Sequence, residues 1–170
     1  MTHVDLCDIA CRWLACSDSK HLAALLRETH FFLKGEQPDA FAIWAPRGES
    51  HLVECKASRS DFAADSKKPW RIDPAKGIGA MRSYLTLPGV VKSAKEIPEG
   101  WNWYEVVDDD TIAARLVCDP FGAPRHNFEE RNYEGEWSLY WLYQRSRWWK
   151  KALRSYEKPV RVKWPGGEDD

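Results

Sequence analysis

Asp39, which follows Pro38, and the run Glu54-Cys55-Lys56 supply two carboxylates and an ammonium that could work together. Mg²⁺ prefers oxygen ligands in octahedral geometry and keeps several of its waters. Asp39 and Glu54 offer two such oxygens, and the backbone carbonyl of Cys55 lies near enough in sequence to add a third. Mn²⁺ accepts the same donors. A cation held there would polarise a phosphate oxygen and lower the pKa of a bound water. Lys56 would orient that water, or stabilise the charge developing on a phosphorane-like transition state. The chemistry that suits these groups is hydrolysis of a phosphodiester. The competing reading is an ordinary surface Asp at a strand start and a Glu/Lys pair on a charged strand edge.

The elements around these residues decide between the two. Phe41-Ala42-Ile43-Trp44 and His51-Leu52-Val53-Glu54-Cys55-Lys56 read as two strands, with Pro46-Arg47-Gly48-Glu49 as a four-residue hairpin loop. That loop sets Ala45 against Ser50, Phe41 against Glu54 and Asp39 against Lys56. Alternate residues share a face, so Asp39, Glu54 and Lys56 all project the same way. A slip of one residue would scatter them.

Elsewhere, Val4, Cys7, Ile9 (or Ala10), Cys11 and Leu14 follow a helical spacing, broken by Cys16-Ser17-Asp18-Ser19. Residues 22–33 are apolar and ambiguous, and Thr29, Phe31 and Phe32 favour a strand in the second half. Ser58 reads as an N-cap, with Asp61 in the capping-box position, for a helix over about 59–68 stopped by Pro69. Residues 71–79 read as loop and 83–87 as a short strand. Residues 101–107 and 111–117 read as a strand pair around Asp108-Asp109-Asp110, and 134–155 as a final helix.

The chain has 170 residues, 44% hydrophobic and 30% charged, which suits one soluble globular domain with a substantial core. The expected domain spans 1–170, with a core over about 4–117 and a helical extension over about 134–155. Ten Trp serve either packing or stacking, and composition alone does not separate the two. The net charge of -1 excludes a polycation, so any nucleic-acid contact must come from a local basic patch. No window resembles a membrane span or a signal peptide, and five cysteines, an odd number, argue against a disulfide framework. The setting these features suggest is cytoplasmic. Cys7 and Cys11, one helical turn apart, read as buried reduced thiols rather than metal ligands.

Gln37-Pro38-Asp39-Ala40, followed by Val53-Glu54-Cys55-Lys56-Ala57-Ser58-Arg59-Ser60-Asp61-Phe62 with Asp65 and Lys67-Lys68, resembles the PD-(D/E)XK, or restriction-endonuclease-like, nuclease superfamily. Within it the string is similar to MmcB-like DNA-repair proteins and related phage and prophage proteins. The similarity runs on through Arg71, Asp73-Pro74, Gly77, Gly79, Tyr84, Pro88-Gly89 and residues 96–101. It covers roughly residues 22–107, and the C-terminal third lies outside it. The resemblance implies an α/β fold with an αβββαβ core, a central mixed sheet flanked by helices, and an extra C-terminal aromatic and basic helix. It also implies a single divalent-metal site and a further carboxylate from an earlier element, for which Glu28 is the candidate, an ordinary exposed Glu being the alternative.

Arg59 at the helix start could reach a phosphate or simply be solvated, and Lys67, Lys68 and Arg71 form a basic knot beside the site that favours contact with a polyanion such as DNA over mere solvation. Asp65 reads as a surface ion-pair partner of Lys68. In the last third, Trp137, Tyr140, Trp141 and Trp148 recur at helical spacing and suit packing on the sheet. Lys150 and Lys151, with Arg145, Arg147, Arg154, Lys158, Arg161 and Lys163, would give a positive face for phosphates. The expected activity is a Mg²⁺- or Mn²⁺-dependent DNA nuclease for repair or phage DNA processing. Single-stranded, branched or duplex DNA, and a monomer or a homodimer, stay open. The alternatives are a non-cutting nucleic-acid- or partner-binding protein on the same fold, and a small-nucleotide phosphodiesterase or anti-defence factor.

Overall fold

A computed structural model describes residues 1–27, 36–45, 48–117, 132, 134–136, 140 and 158–165. It is a mixed α/β structure. Helix α1 (His3–Ser17) is followed by strands β1 (Leu22–Arg27), β2 (Ala40–Trp44) and β3 (Glu49–Lys56). Helix α2 (Arg59–Asp65), the single turn α3 (Pro69–Ile72) and a 3-10 turn at Pro74–Lys76 lead to β4 (Met81–Thr86). Then come β5 (Asn102–Asp108), β6 (Thr111–Leu116) and β7 (Arg161–Lys163). The strands form one sheet in chain order. The pairs β1–β2, β2–β3 and β5–β6 are antiparallel, whereas β3–β4, β4–β5 and β6–β7 are parallel.

Helix α1 begins with a capping box: the Thr2 hydroxyl accepts from the Asp5 amide, and the Asp5 carboxylate accepts from the Thr2 amide at 2.6 Å. Leu6, Cys7, Ala10, Cys11, Trp13 and Leu14 turn inward against Ala40, Ala42, Val53, Cys55 and Leu85 of the sheet. Val4, expected on that apolar stripe, is exposed instead. The opposite face of the sheet carries Phe41, Leu52 and Tyr84, packed with Phe62 of α2, Ile78 and Trp101. Because both faces are covered, β3 is buried along all but its first residue, as parallel pairing with β4 demands. Burial of each large apolar side chain contributes about 1.5–3 kcal/mol.

Several expectations shift. The first strand occupies 22–27, the earlier half of the ambiguous run, while Thr29, Phe31 and Phe32 lie outside the described residues. The hairpin loop is four residues long but sits one residue earlier, over 45–48, so that Trp44 pairs with Glu49 and Ile43 with Ser50. Gly48 explains this: at φ +65° it takes the left-handed position, and its amide donates to the Trp44 carbonyl at 3.1 Å. The register moves by two rather than by one, which preserves every face. Carried one step past Ala40–Val53, it sets Asp39 against Glu54 rather than against Lys56.

Helix α2 is capped by Ser58, whose hydroxyl accepts from the Asp61 amide. It ends at Asp65, short of the expected 68, and Pro69 opens α3 instead of merely stopping α2. The expected final helix shows its first turn at 134–136, and the rest of 137–155, Tyr140 excepted, lies outside the described residues. That turn is anchored in the core. Glu136 accepts from the Ser50 hydroxyl at 3.1 Å and from the Gly79 amide at 2.7 Å, and the Asn132 amide donates to the Gly77 carbonyl. No helix among the described residues is long and apolar enough to cross a membrane.

Candidate active site

Glu54 and Lys56 point from β3 toward the α2 face, and they sit in a buried network that reaches well beyond the expected trio. Lys56 Nζ lies 2.8 Å from Glu54 Oε2, 3.3 Å from Asp65 Oδ1 and 3.9 Å from Asp39 Oδ2. Lys68 Nζ lies 2.6 Å from Asp65 Oδ1 and 3.4 Å from Glu54 Oε2. Arg71 binds three carboxylates: its Nε is 2.6 Å from Asp65 Oδ2, its Nη2 is 3.1 Å from Glu54 Oε1, and its Nη1 bonds Glu36. The Tyr84 hydroxyl donates to Asp65 Oδ2 at 2.6 Å.

The local fold explains these positions. The parity of β3 places Glu54 and Lys56 on one face, and the Ser58 cap starts α2 so that Asp65, almost two turns later, faces inward over them. The turn at Pro69 then returns Arg71 beneath the same carboxylates. Its guanidinium lies 4.2 Å from the Trp101 ring centroid, and Trp101 stacks on Tyr84 at 4.6 Å. Glu36 is fixed from the other side by the Ile78 amide, which donates to its Oε2 at 2.9 Å.

Asp39 lies where β2 begins, at the margin of the two sheet faces. Its Oδ2 accepts from the Cys55 amide at 2.8 Å, and its Oδ1 is 3.5 Å from His3 Nε2 on α1. Within a strand a residue's N–H and C=O point to the same side. The Cys55 carbonyl therefore also faces this edge, and Pro38, which the register sets opposite it, has no N–H to donate.

The electrostatics follow from burial and charge. Burial pushes the Asp39 carboxyl up, the Glu54 carboxylate pushes it further, and Lys56, the Cys55 amide and His3 only partly offset this, leaving it at about 6. Burial also raises Glu36 against the pull of Arg71. Asp65 is held below the usual carboxylate range because Arg71, Lys56, Lys68 and Tyr84 outweigh its burial. Burial alone would lower Lys56, yet Glu54, Asp65 and Asp39 together hold it above an ordinary lysine.

These residues could hold a hard divalent cation. Four carboxylates, Glu36, Asp39, Glu54 and Asp65, share three cations, Lys56, Lys68 and Arg71. Glu54 Oε1 and Asp65 Oδ1 are buried and face cations, Arg71 at 3.1 Å and Lys68 at 2.6 Å. Asp39, Glu54 and the Cys55 carbonyl are the oxygen donors such an ion would take.

Of the residues singled out from the sequence, Asp39, Glu54, Cys55 and Lys56 come together. Lys68 joins them as the half-exposed cation over the cluster, and Lys67 is exposed nearby. Arg71, expected in a basic knot for contact with nucleic acid, is instead a buried clamp, its side chain only 2% exposed. Arg59 turns away and pairs with Glu96 at 2.9 Å while contacting the Val90 carbonyl and the Phe62 ring. Glu28, Lys150 and Lys151 lie outside the described residues. Lys158, counted with the basic C-terminal face, forms an ion pair with Asp110, which also receives Arg12 at 2.7 Å. Asp65, Glu36 and Tyr84 join the site without having been expected there. The signal for Asp65 was its spacing of seven from Ser58, which returns it to the cap's own side of the helix. Compared with family profiles, with curated proteins and with solved structures, the chain matches none.

Proposed function

We propose that this protein is a divalent-metal-dependent nuclease of the PD-(D/E)XK type, acting on DNA in repair or in phage DNA processing. The observation that carries the reading is the convergence of Asp39, Glu54 and Lys56 on one point, with the lysine ammonium between the two carboxylates. The element order α1–β1–β2–β3–α2–β4 agrees with the core that such enzymes use. A bound Mg²⁺ or Mn²⁺ would supply Lewis acidity at a phosphate oxygen and an acidified water.

The chain's own residues do the rest. Asp39, Glu54 and the Cys55 carbonyl would hold the ion. Lys56 stays protonated and donates toward the charge that develops on the phosphate oxygens. Asp65 fixes the Lys56 ammonium, and Arg71 fixes both Asp65 and Glu54, so neither carboxylate must reorganise during turnover. Lys68 reaches from the cluster to solvent and meets the incoming phosphate first.

A second reading rests on burial. Glu54 and Lys56 are 1% and 2% exposed, and their charges are largely satisfied by neighbours, as suits a non-cutting protein on the same scaffold. Incubation of the full chain with plasmid, single-stranded DNA, flap DNA and RNA, with Mg²⁺, Mn²⁺ or EDTA, separates the two. Metal-dependent cleavage lost in Glu54→Ala supports the nuclease. DNA binding without cleavage under every condition supports the second reading.

A further inference from the structure

A second group of metal-binding side chains lies across the sheet from Glu54, and its composition is different. His3 and Cys7 are four residues apart on α1 and so share a helix face. The His3 Nε2 atom is 3.5 Å from Cys7 Sγ and 3.5 Å from Asp39 Oδ1, and the three donor atoms all lie within 4.8 Å of one another. Zn²⁺ bonds nitrogen at about 2.0–2.1 Å, sulfur at about 2.3 Å and carboxylate oxygen at about 2.0–2.2 Å, tetrahedrally. Those bond lengths set ligand atoms apart by about 3.6 Å for nitrogen and sulfur, and by about 3.3 Å for nitrogen and oxygen. The two spacings from His3 Nε2 already match, and the sulfur and the carboxylate oxygen lie within 4.8 Å of each other.

We propose that His3, Cys7 and Asp39 form a Zn²⁺-class site with three protein ligands and one open position. The donor set of one imidazole, one thiol and one carboxylate selects a borderline-soft ion and disfavours Mg²⁺, which prefers oxygen alone. The geometry is built before any ion arrives. The Thr2–Asp5 capping box fixes the first turn of α1, which carries His3, and the Cys55 amide fixes Asp39 through Oδ2, leaving Oδ1 directed toward His3. Cys7 is fully buried at the floor, whereas His3 is partly exposed and gives the ion an entry path. On binding, Cys7 releases its proton to solvent and the sulfur bonds the metal. Asp39 thus belongs to two sites of opposite preference, a hard one toward Glu54 and a softer one toward Cys7.

The site does not depend on the nuclease reading, and its test needs no substrate. The full chain, stripped with chelator, is titrated with Co²⁺ and then with Zn²⁺ against a chromophoric chelator. Expected are one thiolate-bound ion per chain, a thiolate-to-cobalt charge-transfer band, and loss of that band when Zn²⁺ is added. Cys7→Ser should remove the band, and His3→Ala should weaken Zn²⁺ at least about 100-fold, since even supporting residues cost 10–100-fold. Cys16→Ser, which changes an exposed thiol elsewhere on α1, should leave both unchanged. Circular dichroism of each variant reports folding, and half-exposed His3 keeps the test valid should Cys7→Ser unfold. Absence of the band in the unaltered chain, or undiminished binding in His3→Ala, overturns the proposal.

Discussion

Lys56 directs its ammonium back onto Glu54, two residues earlier on the same strand, with Nζ 2.8 Å from Oε2, while Asp65 lies 3.3 Å away on the far side. A side chain at i+2 shares the face of residue i, so strand geometry alone would bring the two near. Their burial is what makes the contact strong and costly to break. A charge taken out of water is stabilised only by well-placed partners, and this pair shares its partners with Asp39, Lys68 and Arg71.

Glu54→Ala and Lys56→Ala are expected to lower metal-dependent cleavage by at least about 100-fold, the scale of losing one charge-stabilising group. Plasmid nicking at fixed Mn²⁺, with thermal melting run alongside, checks this. Activity equal to the unaltered chain in both variants would end the nuclease reading.

Arg71→Met should destabilise the protein by about 3–5 kcal/mol, because Glu36, Glu54 and Asp65 lose a shared cation inside the structure. Adding Glu36→Gln should recover part of that loss. Urea denaturation of the two single variants and the double variant gives the coupling energy, and strict additivity would show that the clamp carries no energy.

In metal-free protein Asp39 binds its proton more tightly folded than unfolded, since its value rises from 3.8 to about 6. Stability is therefore highest below the unfolded value, falls as pH rises from about 4 to 6, and is flat in this respect above that. The loss is on the order of 2 kcal/mol once the difference between the folded and unfolded values is discounted for partial solvent access. Asp39→Asn should flatten the slope in EDTA-treated samples followed by urea denaturation across this range.

Lys68→Ala should weaken DNA binding and lower its salt slope by about 1, the effect of one lost phosphate contact. Arg59→Ala should leave both unchanged and cost no more than about 1 kcal/mol of stability, because its guanidinium is committed to a partly exposed pair with Glu96. Fluorescence anisotropy over a salt series distinguishes the two.

Gly79→Ala should cost about 2–4 kcal/mol in thermal unfolding, combining a left-handed backbone with a steric clash. At φ +91° an added Cβ would meet the Met81 carbonyl oxygen at 2.7 Å and Leu52 Cβ at 2.8 Å, both in adjoining strands. A neutral result would mean that the β3–β4 entry relaxes freely.

The order of residues was enough to determine the local part of this structure. Alternation along 40–44 and 49–56 set the strands, and Ser58 set the start of α2, because these depend on side chains within a few positions of one another. It also put Glu54 and Lys56 on one face, and the face of Asp39 survived a hairpin loop misplaced by one residue because the register moved by an even step. Spacing gave the Asp65–Lys68 pair, which forms at 2.6 Å, but tertiary structure decided which other charges meet. Asp65 read as part of that local pair and Arg71 as part of a basic knot for phosphates, because local pattern does not report what covers a residue. Packing of α2 and α3 onto β3 and β4 buried both and turned them into the frame that holds Glu54 and Lys56. His3 and Cys7 carried a visible spacing of four, but their third partner, Asp39, arrives from another layer of the fold, over a distance no local pattern encodes.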